Sequence, residues 1–307
     1  MYKNKKILVF GGTGFIGYHF IQKALKYKMK VSSFSRRKPE SKKKIKNVKY
    51  LYGDVSKKRD FKKLEKNFKY VVNLSGNIDH NDKKEVYKSH FIGVKNIASF
   101  CISNKVDHLI QLGSSGEYGN SKSPHTENSK CLAKTHYNKT KLMASKYLLK
   151  KYSKSALKLT ILRPYQIYGP YQSINRVVPI TIINCLNNRT FNCSAGTQYR
   201  DFLFINDMVN AIFLTLGNKK AFGEIINLGS GKIIKIKNLI LNIKNAIKGG
   251  HPLFGIIPLR KDEKLKIYTS IQKAKKILKW SPKVPITVGL KKTIKNYKVN
   301  NSNYTYL

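Results

Sequence analysis

Tyr137 and Lys141 stand four residues apart, the spacing that puts two side chains on one face of a helix. An ammonium beside a phenol favours the phenolate, so the pair predicts a Tyr137 pKa drawn down from about 10 toward working pH. That would make Tyr137 a general acid or base. The spacing alone is weak evidence in a chain with 19 tyrosines. It gains weight from Gly113-Ser114-Ser115-Gly116, at the carboxyl end of an apolar run, where open α/β sheets bind ligands. Ser114 could there hydrogen-bond a reacting oxygen.

Gly11-Gly12-Thr13-Gly14-Phe15-Ile16-Gly17 offers a second kind of chemistry. Gly11 permits a tight turn, Gly14 lets backbone N–H groups approach a pyrophosphate, and Gly17 allows close packing of helix on strand. A helix beginning there would turn its positive end toward the phosphates. About one strand further on, an NAD site would carry Asp or Glu for the ribose hydroxyls, but the chain reads Ser35-Arg36-Arg37, with Glu40 several residues late. A hydroxyl and two guanidinium groups suit a 2′-phosphate, so NADP(H) is favoured, with NAD(H) the alternative. Only eight of the 61 basic residues are Arg. Arg163, Arg176, Arg200 and Arg260, all near Pro- or Gly-bearing loops, therefore suggest a need for planar, bidentate geometry, such as a diphosphate provides. No metal-ligand set is expected.

The elements needed to position these residues can be read from hydrophobic periodicity. Strands are predicted at Ile7–Phe10, Lys30–Phe34, Tyr70–Leu74, His108–Leu112 and Leu157–Leu162. Helices are predicted at Phe15–Lys28, Lys83–Cys101 and Ala133–Tyr152. Strands alternating with helices imply a doubly wound parallel sheet, an α/β Rossmann fold, over 1–165. The pattern then becomes less regular, with short elements at Val177–Leu186, Asp207–Leu216, Lys237–Ile247 and Ile271–Leu278. A smaller C-terminal α/β substrate-binding lobe over 166–307 is expected, with segments around 200–230 returning to the first domain.

The formal charge of +46 invites a nucleic-acid or anionic-membrane reading. The lysines are spread along the whole chain, and nucleic-acid motifs are missing. Drift toward Lys, Asn and Ile, leaving a solvated basic shell, accounts for the charge, so neither nucleic acid nor membrane is an expected partner. The basic start Lys3–Lys6 before an apolar run resembles a signal peptide, but the glycine turn and the lack of a small-residue cleavage site argue against one. No run of about 18 uncharged apolar residues occurs. Four cysteines without CxxC pairing fit a reducing compartment, and a cytoplasmic location is expected.

Taken together, the motifs resemble the extended short-chain dehydrogenase/reductase family, in its nucleotide-sugar epimerase/dehydratase branch. The matching segments are GGTGFIG (11–17), YGDV (52–55), VVNLSG (71–76), GSSGEYG (113–119), YNKTK (137–141), LRPYQIYGP (162–170), YRDFLFINDMV (199–209), INLGSG (226–231) and PLRKDE (258–263), followed by KAKKILKW (273–280). The resemblance implies that Ser114 is the catalytic hydroxyl, Tyr137 the acid or base, and Lys141 the residue that holds the nicotinamide ribose and tunes Tyr137. It sets Asp54 and Val55 near the adenine, and Leu74, Ser75 and Gly76 along the cofactor. Ser115, Gln166, Arg176, Arg200 and Arg260 fall on the side of a nucleotide-sugar substrate, Arg200 and Arg260 at diphosphate-binding positions. It further implies a homodimer formed through the helix carrying Tyr137.

Departures from the family pattern narrow the reaction. Its 4,6-dehydratases place Asp-Glu after the catalytic hydroxyl, where this chain has Ser115-Gly116. Gln166 replaces an Asn common among 4-epimerases, and Ser270 an Asp before a late helix. The GSSGEYG form resembles the version in reductases of nucleotide-linked 4-keto-6-deoxyhexoses. A 4-ketoreductase is therefore the leading expectation, a 4-epimerase with tightly held NAD the runner-up. A non-catalytic Rossmann binding protein is the third alternative, disfavoured by the intact Ser114, Tyr137 and Lys141.

Overall fold

The computed structural model describes residues 2–77, 79, 81–259 and 263–299. Its framework is a seven-stranded sheet whose neighbouring strands are all parallel. The first strands and helices are β1 (Lys6–Phe10), α1 (Phe15–Lys26), β2 (Lys30–Ser35), β3 (Val48–Tyr52), β4 (Tyr70–Asn73), α2 (Lys83–Tyr87) and α3 (Gly93–Ser103). After them come β5 (His108–Leu112), α4 (His136–Lys154), β6 (Leu159–Pro164) and β7 (Gln166–Tyr168). Beyond these lie α5 (Val177–Leu186), β8 (Thr190–Cys193), β9 (Tyr199–Arg200), β10 (Phe202–Phe204), α6 (Ile205–Thr215) and β11 (Ile225–Leu228). The sheet order is β11-β6-β5-β4-β1-β2-β3. The chain thus builds outward from β1 in both directions, and the reversal between β1 and β4 opens a crevice beyond the carboxyl ends of the strands.

The run Ile7–Phe10 is apolar at every position because both faces of its strand are covered. Ile7 and Val9 belong to one core with Phe20, Ile21 and Ala24 of α1 and with Met208 and Ile212 of α6. Leu8 and Phe10 belong to the other, with Ile97 and Ala98 of α3 and Ala144 and Leu148 of α4. The alternation of successive side chains thereby clamps β1, and the glycine turn that follows it, between two helical layers.

Two differences from the sequence expectation bear on the site. The helix predicted at 83–101 is interrupted: Lys88–Ile92 forms a π-helical turn between α2 and α3. Side chains account for it, since the Ser89 hydroxyl donates to Glu85 O at 2.7 Å and accepts from Asn77 N at 3.1 Å, and His90 Nε2 donates to Asn77 O at 2.9 Å. Helix α4 begins at His136 rather than Ala133, where the Thr135 hydroxyl accepts from Asn138 N at 3.2 Å. That cap places Tyr137 in the first turn, at the crevice.

The later chain is more strand-rich than its periodicity suggests. β11 pairs with β6 at the sheet edge, and β7 pairs with β10 in a separate ribbon. Three more short strands follow, β12 (Ile234–Lys235), β13 (His251–Phe254) and β14 (Lys266–Ile267). The helices of this part are α7 (Ile236–Ile247), α8 (Gln272–Leu278) and α9 (Ile286–Val299). Among the described residues, no helix is long and apolar enough to cross a membrane.

Candidate active site

The crevice at the strand ends has a volume of about 1160 Å³. That exceeds the roughly 300–1,000 Å³ of a pocket for a single small ligand. Its floor is the turn from β1 into α1. Gly11 has a φ of +76°, and a Cβ there would lie 2.7 Å from the backbone nitrogen of Ser75. Gly17 is required by packing, since its Cβ would stand 2.4 Å from Gly11 O. At Gly14 the only atom within 4 Å of a Cβ would be Gly11 O at 3.3 Å, so its missing side chain leaves open space. No side chain caps the N-terminus of α1, and its first turn holds no acid. A 12-residue helix thus directs unsatisfied N–H groups into a cradle that only glycine keeps clear. These features fit a dinucleotide diphosphate.

Thr13, Phe15 and Ile16 line this floor, and Leu74, Ser75 and Gly76 form the wall beyond β4. Ser35 is buried at the end of β2, where its hydroxyl meets Thr13 N at 3.5 Å. Arg36 and Arg37 line the same end with Val55 and Glu40, joined by Lys42 and Lys43, which the sequence reading passed over. Glu40 bridges Lys43 at 2.9 Å and Lys42 at 3.8 Å, and Arg36 reaches across to Glu85 of α2 at 2.9 Å. Asp54 turns away: its carboxylate accepts from Ser56 N at 2.8 Å, and it is not part of the lining.

Ser114, Tyr137 and Lys141 all line the crevice. Ser114 caps a 3₁₀ turn, its hydroxyl accepting from Gly116 N at 3.1 Å, and the same side chain favours the ionised form of the Tyr137 phenol. Lys141 is buried, and its Nζ donates to Leu112 O at 3.0 Å. Burial lowers its pKa to about 8, against a smaller raising influence from Glu117. The expectation that Lys141 draws Tyr137 down is corrected here. Burial dominates and raises the Tyr137 pKa; the opposing influences are the Ser114 side chain and the Arg176 guanidinium. The Lys141 ammonium lies 6.0 Å from the phenol ring centroid and is directed at a carbonyl instead. His90, brought in by the π-helical turn, packs edge-on against Tyr137 with ring centroids 5.1 Å apart.

The far end of the crevice is lined by Ser115, Gln166, Arg176 and Arg200. Arg176 is exposed, whereas the Arg200 guanidinium is held by Glu263 and donates to Tyr199 O at 2.8 Å and Lys264 O at 2.9 Å. Arg260 lies outside the described residues. Arg163 corrects the reading of retained arginines as diphosphate ligands: it is only 2% exposed and forms an ion pair with Glu117 at 2.7 Å. Its place late in a strand buried at nearly every position was the available signal. The Ser114-x-x-Glu117 spacing of a capping box was the signal for its partner.

Residues 7–229 match the model of the NAD dependent epimerase/dehydratase family, and the chain belongs to that family. Its similar relatives differ in reaction. A dTDP-4-dehydro-6-deoxyglucose reductase of Escherichia coli is 26% identical, over 95% of this chain and 97% of the relative. A dTDP-D-glucose 4,6-dehydratase of Homo sapiens is 25% identical, over 98% and 92%. Among solved structures, the UDP-glucose 4-epimerase of Thermotoga maritima with UDP-glucose superposes with a TM-score of 0.89 at 25% identity, over 96% of this chain and 99% of that one.

Proposed function

We propose that the protein is a nucleotide-sugar oxidoreductase that reduces a nucleotide-linked 4-keto-6-deoxyhexose with NADPH. The observation that carries this reading is Tyr137, a phenol held protonated by burial in a crevice that Ser114 and Lys141 also line. Ketone reduction consumes an acid, and a protonated phenol is one. The bound dinucleotide would supply the hydride. Ser114 polarises the carbonyl oxygen, Tyr137 gives it a proton, and Lys141 holds the ribose and offsets the charge left on the phenolate. Arg36 and Arg37 receive the adenosine 2′-phosphate, while Arg176 and Arg200 face the substrate diphosphate. Two copies pair through α4, whose Met143 and Tyr152 are exposed.

Dehydration is disfavoured by sequence, with Ser115-Gly116 where the dehydratases carry two acids. A Cβ at Gly116 would lie 2.1 Å from Asn138 Oδ1, so any side chain there would require Asn138 to move. A second reading, 4-epimerisation, is favoured by the likeness to the Thermotoga maritima enzyme. It uses the same three residues, with Tyr137 first accepting the proton and later returning it. Purified protein offered UDP-, GDP-, CDP- and dTDP-linked 4-keto sugars with NADPH separates the two. Stoichiometric loss of reduced-nicotinamide absorbance supports reduction. Protein that carries NAD⁺ through purification and interconverts C4 epimers with no net absorbance change would establish epimerisation instead.

A further inference from the structure

Arg163 stands next to last in β6 as a permanently charged group out of reach of solvent. Its partner Glu117, with no exposed surface, takes hydrogen bonds on both carboxylate oxygens. Oε2 accepts from Arg163 Nε at 3.0 Å and Nη2 at 2.7 Å, and Oε1 accepts from Ser114 N at 2.9 Å. One carboxylate therefore joins the end of β6 to the backbone of Ser114. The guanidinium is held in turn, its carbon 4.8 Å from the Tyr118 ring centroid, and the Tyr118 hydroxyl donates to Asn227 Oδ1 at 2.8 Å. Gly113 admits the pair: a Cβ there would lie 2.6 Å from Glu117 Oε1 and 3.2 Å from Arg163 Cγ.

Stability alone is a poor reason for this arrangement. Removing two charges from water offsets most of their attraction, and well-packed apolar residues usually serve a core as well or better. A neutral Gln would also complete the capping box around Ser114. What the ion pair adds is direction, because a planar guanidinium fixes the carboxylate on which Ser114 hangs. It also sets a negative charge near Tyr137 and Lys141.

We propose that Glu117 and Arg163 are positioning residues that hold the Ser114 hydroxyl in register with Tyr137. This rests on the reading of Ser114 and Tyr137 as the reacting pair.

Two variants test it. Glu117→Asp keeps the buried charges balanced but withdraws the carboxylate by one methylene from Ser114 N–H. Glu117→Gln/Arg163→Met removes both charges together, so that neither is left buried alone. Each is expected to lower kcat about tenfold to a hundredfold, as small misplacements of reacting groups do, with KM within about threefold of wild type. Wild-type kcat in either folded variant overturns the proposal, as does a loss confined to KM. If the wild-type protein turns over no nucleotide sugar, the functional reading fails separately. The pair is then judged by crystal structures of both variants. A Ser114 hydroxyl displaced from Tyr137 supports the proposal, and one left in place overturns it.

Discussion

Lys141 Nζ donates to the carbonyl oxygen of Leu112, the last residue of β5, two positions before Ser114. The ammonium is thereby anchored to the sheet rather than to the phenol one helical turn away. Its pKa, lowered by burial to about 8, sets the pH range over which it carries charge. A lysine is charged below its pKa, so the ammonium persists at pH 7 and is lost as pH rises through 8. Turnover that needs this charge is expected to fall above about pH 8 in kcat/KM profiles. Tyr137 cannot produce that limb, because burial raises it. Lys141→Met is expected to abolish the limb along with most of the activity; a wild-type rate level to pH 9 would refute the role.

The influence of Ser114 on the Tyr137 phenol predicts which losses occur in kcat. Tyr137→Phe removes the proton donor and retains the ring that packs on His90. Its kcat should drop by about 10²- to 10⁴-fold, the usual contribution of a positioned acid. Dinucleotide affinity measured by calorimetry should stay within about threefold. Ser114→Ala should give a smaller fall of the same kind.

Gly14 and Gly17 separate binding from folding within a single turn. Gly14→Ala meets only Gly11 O, at 3.3 Å, and otherwise fills open crevice. It is expected to fold normally and to bind dinucleotide at least about tenfold more weakly, by obstructing the diphosphate. Gly17→Ala would force a methyl to 2.4 Å from Gly11 O and 2.6 Å from Gly12 Cα, both backbone atoms. That variant should lose roughly 1–3 kcal/mol in denaturant unfolding, the range for overpacking.

The sequence patterns reveal the sheet far better than they reveal the site's supports. β1, β4 and β5 are buried on both faces and mostly apolar, so a short run sufficed to find them. β3 escaped because it is an edge strand with Lys49 exposed and no fully buried position. The π-helical turn escaped because it depends on side-chain bonds from Ser89 and His90 to Asn77, a residue more than ten positions away. Tyr137 and Lys141 were found through helical spacing, but spacing cannot show that burial and the Leu112 carbonyl decide their ionisation. Arg163 shows the same limit. Arginine type and a nearby proline suggested a ligand contact, and only the fold, which sets the 3₁₀ turn after β5 beside β6, reveals Glu117 as its partner.

Arg36 is shared between the cofactor end of the crevice and Glu85 of α2. If Arg36 and Arg37 read a 2′-phosphate, the double variant Arg36→Ala/Arg37→Ala should weaken NADPH binding and leave NADH nearly unchanged. One charge-assisted contact is worth about 1.5–3 kcal/mol, so a loss of at least about tenfold is expected. Glu85→Gln should act in the opposite direction by releasing Arg36, with a modest effect because the ion pair is partly exposed. Fluorescence titration with both dinucleotides reads the ratio. Equal losses for NADPH and NADH would refute the phosphate-reading role.

His108 predicts how the fold responds to acid. Its imidazole is fully buried on β5, where Nδ1 accepts from Gly217 N at 3.2 Å and Nε2 meets the Thr160 hydroxyl at 2.9 Å. The Thr160 hydroxyl spends its own proton on Ala221 O, so Nε2 must be the donor and the ring is neutral. Burial lowers the His108 pKa to about 3, from 6.5 in an unfolded chain. As pH falls through 6.5 the unfolded state gains a proton that the folded state refuses, so the stabilisation present above 6.5 is lost between 6.5 and 3. The gap corresponds to roughly 4–5 kcal/mol in full, and to about 2–3 kcal/mol by pH 4.5. His19 is pushed in the same direction by burial and adds to the slope. Urea unfolding at pH 7 and pH 4.5 should show this loss. His108→Gln, whose amide offers one acceptor and one donor without titrating, should be less stable at pH 7 and lose less on acidification. An identical pH slope in both proteins would mean that His108 is protonated in the folded state.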